Sequence, residues 1–149
     1  MSLKIQIEED MRAAMKAKND VTLATLRLLL SAIKQWEIDQ RHDIDEGTVI
    51  GVIEKMIKQR KESFKIYEEA SRTDLAEKEK AELDVLTTYL PTQLTDVEVE
   101  EIMMRAISEM SASGMKDMGK VMGVLRTELS GKADLSKVSS QVRQLLSKD

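Results

Sequence analysis

Apolar residues recur along the chain at helical spacing. Leu3, Ile7, Met11, Ala14 and Met15 fall on one side of a first helix over about residues 3–18. Asn19 and Asp20 supply a stop and a cap for the next. The second helix, about 21–40, is apolar nearly all round: Leu23, Leu26, Leu30 and Ile33 form one stripe, and Ala24, Leu28 and Ala32 another. A helix wetted on one side needs only one stripe, so this pattern predicts the central helix of a bundle. The third, about 46–70, directs Val49, Val52, Ile53, Met56, Ile57, Phe64 and Tyr67 inward. The fourth, about 74–89, opens on Asp74 and Glu77 as a candidate capping pair. Pro91 closes that region, because a proline drives the residue before it out of helical geometry.

Past Pro91 the helices shorten. Thr95-Asp96-Val97-Glu98 fits a capping box and starts a fifth helix with Val99, Ile102, Met103, Ala106, Ile107 and Met110 on one face. After a loop at 111–114, a sixth helix buries Met118, Val121, Met122, Leu125 and Leu129, and Gly131 is placed to end it. A seventh carries Leu135, Val138, Val142, Leu145 and Leu146. The expected architecture is all-α, with a four-helix bundle-like domain over residues 1–92 and a small three-helix tail domain over 93–149.

Composition supports helices over strands. Aromatic residues make up 3% of the 149 residues and proline occurs once, while helix formers dominate. The absence of cysteine excludes disulfides, zinc–thiolate sites, iron–sulfur clusters and a thiol nucleophile. The first residues lack an apolar signal core, and no apolar run approaches the ~20 residues that span a bilayer. A cytoplasmic protein without membrane contact is therefore the expectation. A net charge of −4 denies the chain a global basic field.

Familiar chemical motifs fail on inspection. Gly114-Met115-Lys116-Asp117-Met118-Gly119-Lys120 has the spacing of a phosphate-binding loop, but Val121 stands where a hydroxyl should hold magnesium, and a helix rather than a strand precedes it. Asp43, Asp45 and Glu54 imitate a calcium loop, but Gly47 and Thr48 occupy its fifth and sixth positions. His42 is the only histidine, and a solvent-facing loop position is expected for it. The many carboxylates belong to polar helix faces, where solvation is expected. No catalytic residue, cofactor or metal ligand is therefore assigned.

Local charge is more informative. Lys55, Lys58, Arg60, Lys61 and Lys65, against Glu54 and Glu62, make part of the third helix basic. From residue 115 onward, Lys116, Lys120, Arg126, Lys132, Lys137, Arg143 and Lys148 face only Asp117, Glu128, Asp134 and Asp149. Gly119 and Gly123 share one helix face, although an interior glycine costs a helix about 1 kcal/mol relative to alanine. Two readings stand: tight packing against another helix, or close approach of an RNA backbone. Lys116, Lys120, Lys132 and Lys137 are the candidate phosphate contacts, with Gly119 and Gly123 permitting the approach. Scarce aromatics disfavour base stacking and leave shape-based contact with folded RNA.

Leu26-Arg27 with Ser31-Ala32-Ile33-Lys34, Lys58-Gln59-Arg60-Lys61-Glu62-Ser63, Ser71-Arg72-Thr73-Asp74-Leu75-Ala76 and Tyr89-Leu90-Pro91-Thr92-Gln93-Leu94 occur in order along the chain. Met118-Gly119-Lys120-Val121-Met122-Gly123 and Gly131-Lys132-Ala133-Asp134 follow. Together they resemble the YqeY-like family over essentially the whole chain. That family is similar to the C-terminal region of GatB, the B subunit of the aspartyl/glutamyl-tRNA amidotransferase. The resemblance implies a helical domain followed by a tail that contacts tRNA in the GatB setting. It does not bring the kinase cradle of GatB, with its metal and ATP sites, or an amidase Ser–Ser–Lys arrangement. Ser71 stands where the family often has glycine, so the turn there is expected to differ.

The functional expectation is a tRNA-binding or tRNA-amidotransferase-associated accessory protein, working with tRNA or other translation components. One alternative is a protein-interaction adaptor without RNA binding, suggested by acidic net charge and Met-rich faces. The other, a component of a glutamine-dependent carbon–nitrogen ligase, rests on family analogy alone.

Overall fold

The computed structural model describes residues 2–147. The fold is all-α, with no strand among the described residues. Seven helices follow one another there: α1 (Leu3–Lys16), α2 (Asp20–Gln40), α3 (Glu46–Glu69), α4 (Thr73–Thr87), α5 (Asp96–Glu109), α6 (Met118–Leu129) and α7 (Leu135–Leu146), with a 3₁₀ turn at Met115–Asp117 leading into α6. Contacts divide the chain into two compact units, Met1–Leu90 and Pro91–Asp149.

In the first unit, Ile7 of α1, Leu26, Leu29 and Ile33 of α2, Val49 and Ile53 of α3 and Leu86 of α4 form a closed core. Each such side chain contributes about 1.5–3 kcal/mol through burial. α1 packs on α2 and α3 packs extensively on α4, whereas α2 and α3 touch each other more sparingly. As a result α2 is not the wrapped central helix its pattern predicts. Its buried stripe is Thr25, Leu26, Leu29 and Ile33, while Ala24 is exposed and Leu28 is 51% exposed. Met15 of α1 is also exposed, and Val52 is only half-buried.

Polar contacts pin this unit. Lys4 Nζ donates to Glu37 Oε1 at 2.9 Å, and the Ile44 amide donates to the other oxygen at 3.0 Å. Tyr89 Oη donates to Asp10 Oδ2 at 2.6 Å, and burial pushes the phenol far above its ordinary range. Arg60 Nε lies 3.3 Å from Glu82 Oε2, with both side chains largely buried. Glu82 therefore departs from the expectation of solvated carboxylates. Beside it, burial raises the Glu79 carboxyl, and the Glu82 charge adds to that.

Helix ends follow partly from sequence. Asn19 caps α2 by accepting from the Thr22 amide. The expected Asp74–Glu77 cap of α4 is absent: Arg72 is the N-cap without a side-chain bond, and Asp74 lies inside the first turn, where its carboxylate accepts from the Arg72 guanidinium. Ser71 adopts φ +58°, the left-handed geometry that glycine favours, so serine keeps the turn glycine would make.

In the second unit, Val99 and Met103 of α5, Val121, Leu125 and Leu129 of α6, and Val138, Val142 and Leu146 of α7 form a second core. The capping box is complete, with Thr95 Oγ1 accepting from the Glu98 amide and the Glu98 carboxylate returning to the Thr95 amide. Gly131 takes φ +75° just beyond α6 and ends it as expected.

Candidate nucleic-acid interface

The 111–117 loop sets the start of α6. Gly114 takes φ +73°, and the Ser113 amide donates to Asp117 Oδ2 at 2.9 Å, which ties the loop to the 3₁₀ turn. Val121, Met122, Leu125 and Leu129 then turn one side of α6 into the core. The opposite side presents Gly119, Lys120 and Gly123 to solvent, with Val124 and Thr127 continuing the exposed surface and Lys116 of the 3₁₀ turn exposed just before it.

Both glycines face empty space. A Cβ built on Gly119 or Gly123 meets nothing within 4 Å. Packing against another helix of the same unit is thereby ruled out as the reason for them. What remains is a strip of bare helix backbone beside two lysines, neither of which forms an ion pair among the described residues. Asp117, at the start of the strip, is engaged with the Ser113 amide.

Lys132 and Lys137 belong to a different place. They follow α6, whose 12 residues rise about 18 Å from its first turn. Both line a cleft of about 150 Å³ together with Gln93, Asp96, Asp134 and Gln141. Lys137 Nζ pairs with Asp96 Oδ1 at 3.4 Å. Asp134 caps α7 by accepting from the Ser136 and Lys137 amides. Asp96 thus pairs with Lys137, while Lys132, like Lys116 and Lys120, forms no ion pair among the described residues. The tertiary structure places Lys116 and Lys120 around the start of α6 and Lys132 and Lys137 around the start of α7. Lys148 and Asp149, counted in the tail's charge, lie outside the described residues.

The same cleft explains two of the sequence motifs. Gln93 Nε2 donates to the Gly131 carbonyl at 2.5 Å, and the Leu94 amide donates to the Lys132 carbonyl at 2.9 Å. Residues 93–94 and 131–132 therefore form one joined turn that positions α5 and α7. Sequence reading missed the roles of Gln93 and Asp96, because nothing in their spacing reports contacts made across 38 and 41 residues, and it also missed the Asp134 cap, which is local.

Among the described residues, no group of three His, Cys, Asp or Glu side chains is placed to hold a metal ion. No described helix is long and apolar enough to cross a membrane.

Proteins named "Altered inheritance of mitochondria protein 41, mitochondrial" are similar to this chain. The one from Vanderwaltozyma polyspora is 37% identical over 119 residues, covering 75% of this chain and 64% of the relative. That from Pyrenophora tritici-repentis is 29% identical over 145 residues, covering 95% and 79%. That from Kluyveromyces lactis is 37% identical over 102 residues, covering 68% and 55%. The chain thus spans only part of the length of these relatives. Their names place them in mitochondria, which overturns the expectation of a cytoplasmic protein; that expectation rested on missing signals, which exclude no compartment. The model of the Yqey-like proteins matches residues 4–146, nearly the whole chain and both compact units, and the chain belongs to that family.

Proposed function

We propose that this protein is an RNA-binding accessory factor whose second unit holds the sugar-phosphate backbone of a folded tRNA, in association with tRNA-amidotransferase or other translation machinery. The observation that carries this reading is the exposed strip of α6, where Gly119 and Gly123 face open space beside the unopposed Lys116 and Lys120. Glycine lets a backbone approach a helix more closely than any other residue does. Lysine ammonium groups supply the charge that phosphate contact needs. The scarcity of aromatic residues suits recognition by shape rather than by stacking. The similarity of the YqeY-like family to the tail of GatB supports the choice of tRNA as the RNA.

Fluorescence anisotropy with labelled tRNA and duplex DNA, across a salt series, tests it. The expected result is tighter binding of tRNA, with affinity falling as salt rises. Replacing Lys116 and Lys120 by alanine reduces the salt slope by about two, one for each phosphate left without its lysine. The corresponding change at Lys137 has a smaller effect, because Asp96 already pairs with it. Absence of tRNA binding at low salt sinks the reading.

A further inference from the structure

α5 is the acidic helix of the second unit. Asp96, Glu98, Glu100, Glu101 and Glu109 face a single cation on it, Arg105. The rest of that unit leans the other way, with six cations against three carboxylates among its described residues. Negative charge is therefore gathered on one helix and not spread over the unit. Two of the five carboxylates have a role inside the fold: Asp96 Oδ1 lies 3.4 Å from Lys137 Nζ, and Glu98 completes the capping box. Glu100, Glu101 and Glu109 form no ion pair among the described residues. Glu98 and Glu101, three apart, repel on the helix surface. Glu109 sits in the last turn, which holds no basic residue and where the helix dipole disfavours negative charge. Arg105 stands four residues from both Glu101 and Glu109, and one cation cannot neutralise two carboxylates.

Apolar side chains stand among these charges. Val97 is 66% exposed and Met104 48% exposed. Val97, Glu101, Met104 and Ser108, spaced 4, 3 and 4, form the ridge opposite the buried Val99, Met103 and Ala106. Asp96 and Glu100 flank that ridge on one side, and Glu98, Arg105 and Glu109 on the other. The outer face of α5 thus carries two apolar side chains seven residues apart, set in an excess of negative charge.

We infer that this face of α5 docks a basic amphipathic helix of a partner protein. Apolar side chains on one side of such a helix cover Val97 and Met104. Lysines or arginines beside them meet Glu100, Glu101 and Glu109. An RNA backbone is repelled by the same carboxylates, and a wholly apolar partner would bury them uncompensated. The face belongs to a different helix from Gly119, Lys120 and Gly123, so the inference does not rest on RNA binding by α6.

Anisotropy of a fluorescently labelled peptide on the full chain tests it. The probe is a short designed helix with leucines at i, i+4 and i+7 and lysines flanking them. The expected result is saturable binding, weakened about tenfold or more by Glu100→Lys with Glu101→Lys and, separately, by Val97→Ser with Met104→Ser. All four positions are exposed, and thermal melts matching that of the parent show that the variants remain folded. Lys116→Ala with Lys120→Ala leaves the affinity for the peptide unchanged. Three results overturn the inference: equal binding of a peptide with the same residues scrambled out of helical register; an affinity that neither α5 variant changes; or a chain that sediments as a dimer, is dispersed by the Glu100 and Glu101 changes and does not bind the peptide.

Discussion

Two helices of this protein carry glycines that face open space: Gly51 inside α3, and Gly119 in the first turn and Gly123 further along α6. The local backbone geometry is helical at all three. The surroundings differ. Around Gly51 the apolar Ala32, Trp36, Val52 and Met56 alternate with Gln35, Asp39, Lys55 and Gln59. Around Gly119 and Gly123 stand the exposed cations Lys120 and Arg126 of α6 and Lys116 of the 3₁₀ turn before it. The exposed lysines beside the α6 glycines suit the anionic partner proposed for that surface, whereas Gly51 adjoins a mixed apolar and polar lining.

The two units also differ in what holds them together. The first combines its apolar core with the Arg60–Glu82, Lys4–Glu37 and Tyr89–Asp10 pairs. The second relies on an apolar core, capped helix ends and the joined turn at Gln93 and Gly131. Leu125→Ala in the second core is expected to cost about 2–5 kcal/mol and to abolish tRNA binding while Trp36 emission stays unchanged. A simultaneous change in Trp36 emission on denaturant titration would join the two regions into one cooperative unit.

Glu82→Leu in the first unit leaves the largely buried Arg60 guanidinium without its paired carboxylate, and a loss of about 3 kcal/mol in urea unfolding is expected. Adding Arg60→Met restores most of it. If the double variant is no better than the single, the pair is more than a matched charge.

Alanine at the open glycines sharpens the contrast most directly. Gly51→Ala and Gly123→Ala are each expected to raise stability by up to about 1 kcal/mol, and Gly119→Ala, in the first turn of α6, by less. The α6 changes are expected to weaken tRNA binding and Gly51→Ala to leave it intact. A gain in stability with no loss of tRNA binding would remove the functional reason for the α6 glycines.

The smallest effect concerns pH. Hydrogen bonds from Lys4 and from the Ile44 amide hold the Glu37 carboxyl below its ordinary value of 4.5. A carboxyl depressed by folding contributes stability above that ordinary value and loses it as pH falls through the folded-state value. Glu37→Gln should therefore lower stability at neutral pH and flatten its decline below about pH 4, as measured by thermal melts across pH.

Much of the fold was legible in residue spacing. The apolar stripes of α5, α6 and α7 are the stripes that reach the core, because a short helix in a three-helix unit has only one side to bury. The Thr95–Glu98 box was legible because a capping box is a contact between near neighbours. Helix ends were less so. α1, α2, α3 and α5 are followed by left-handed Lys18, Arg41, Ser71 and Ser111, none of which signals such geometry by its type. The cap expected at Asp74 failed because Arg72 competes for its carboxylate.

Sequence alone determined the helical class, the order of the helices, the basic tail and the pair of glycines on α6. These are properties of local spacing and composition, which a chain carries before it folds. Tertiary structure decided which apolar stripe of α2 is buried, because that depends on how closely α3 approaches. It also decided which lysines are unopposed, because Lys137 meets Asp96 from 41 residues away. And it decided what the glycines mean, because only the assembled neighbours show whether the space beside a missing side chain is full or empty.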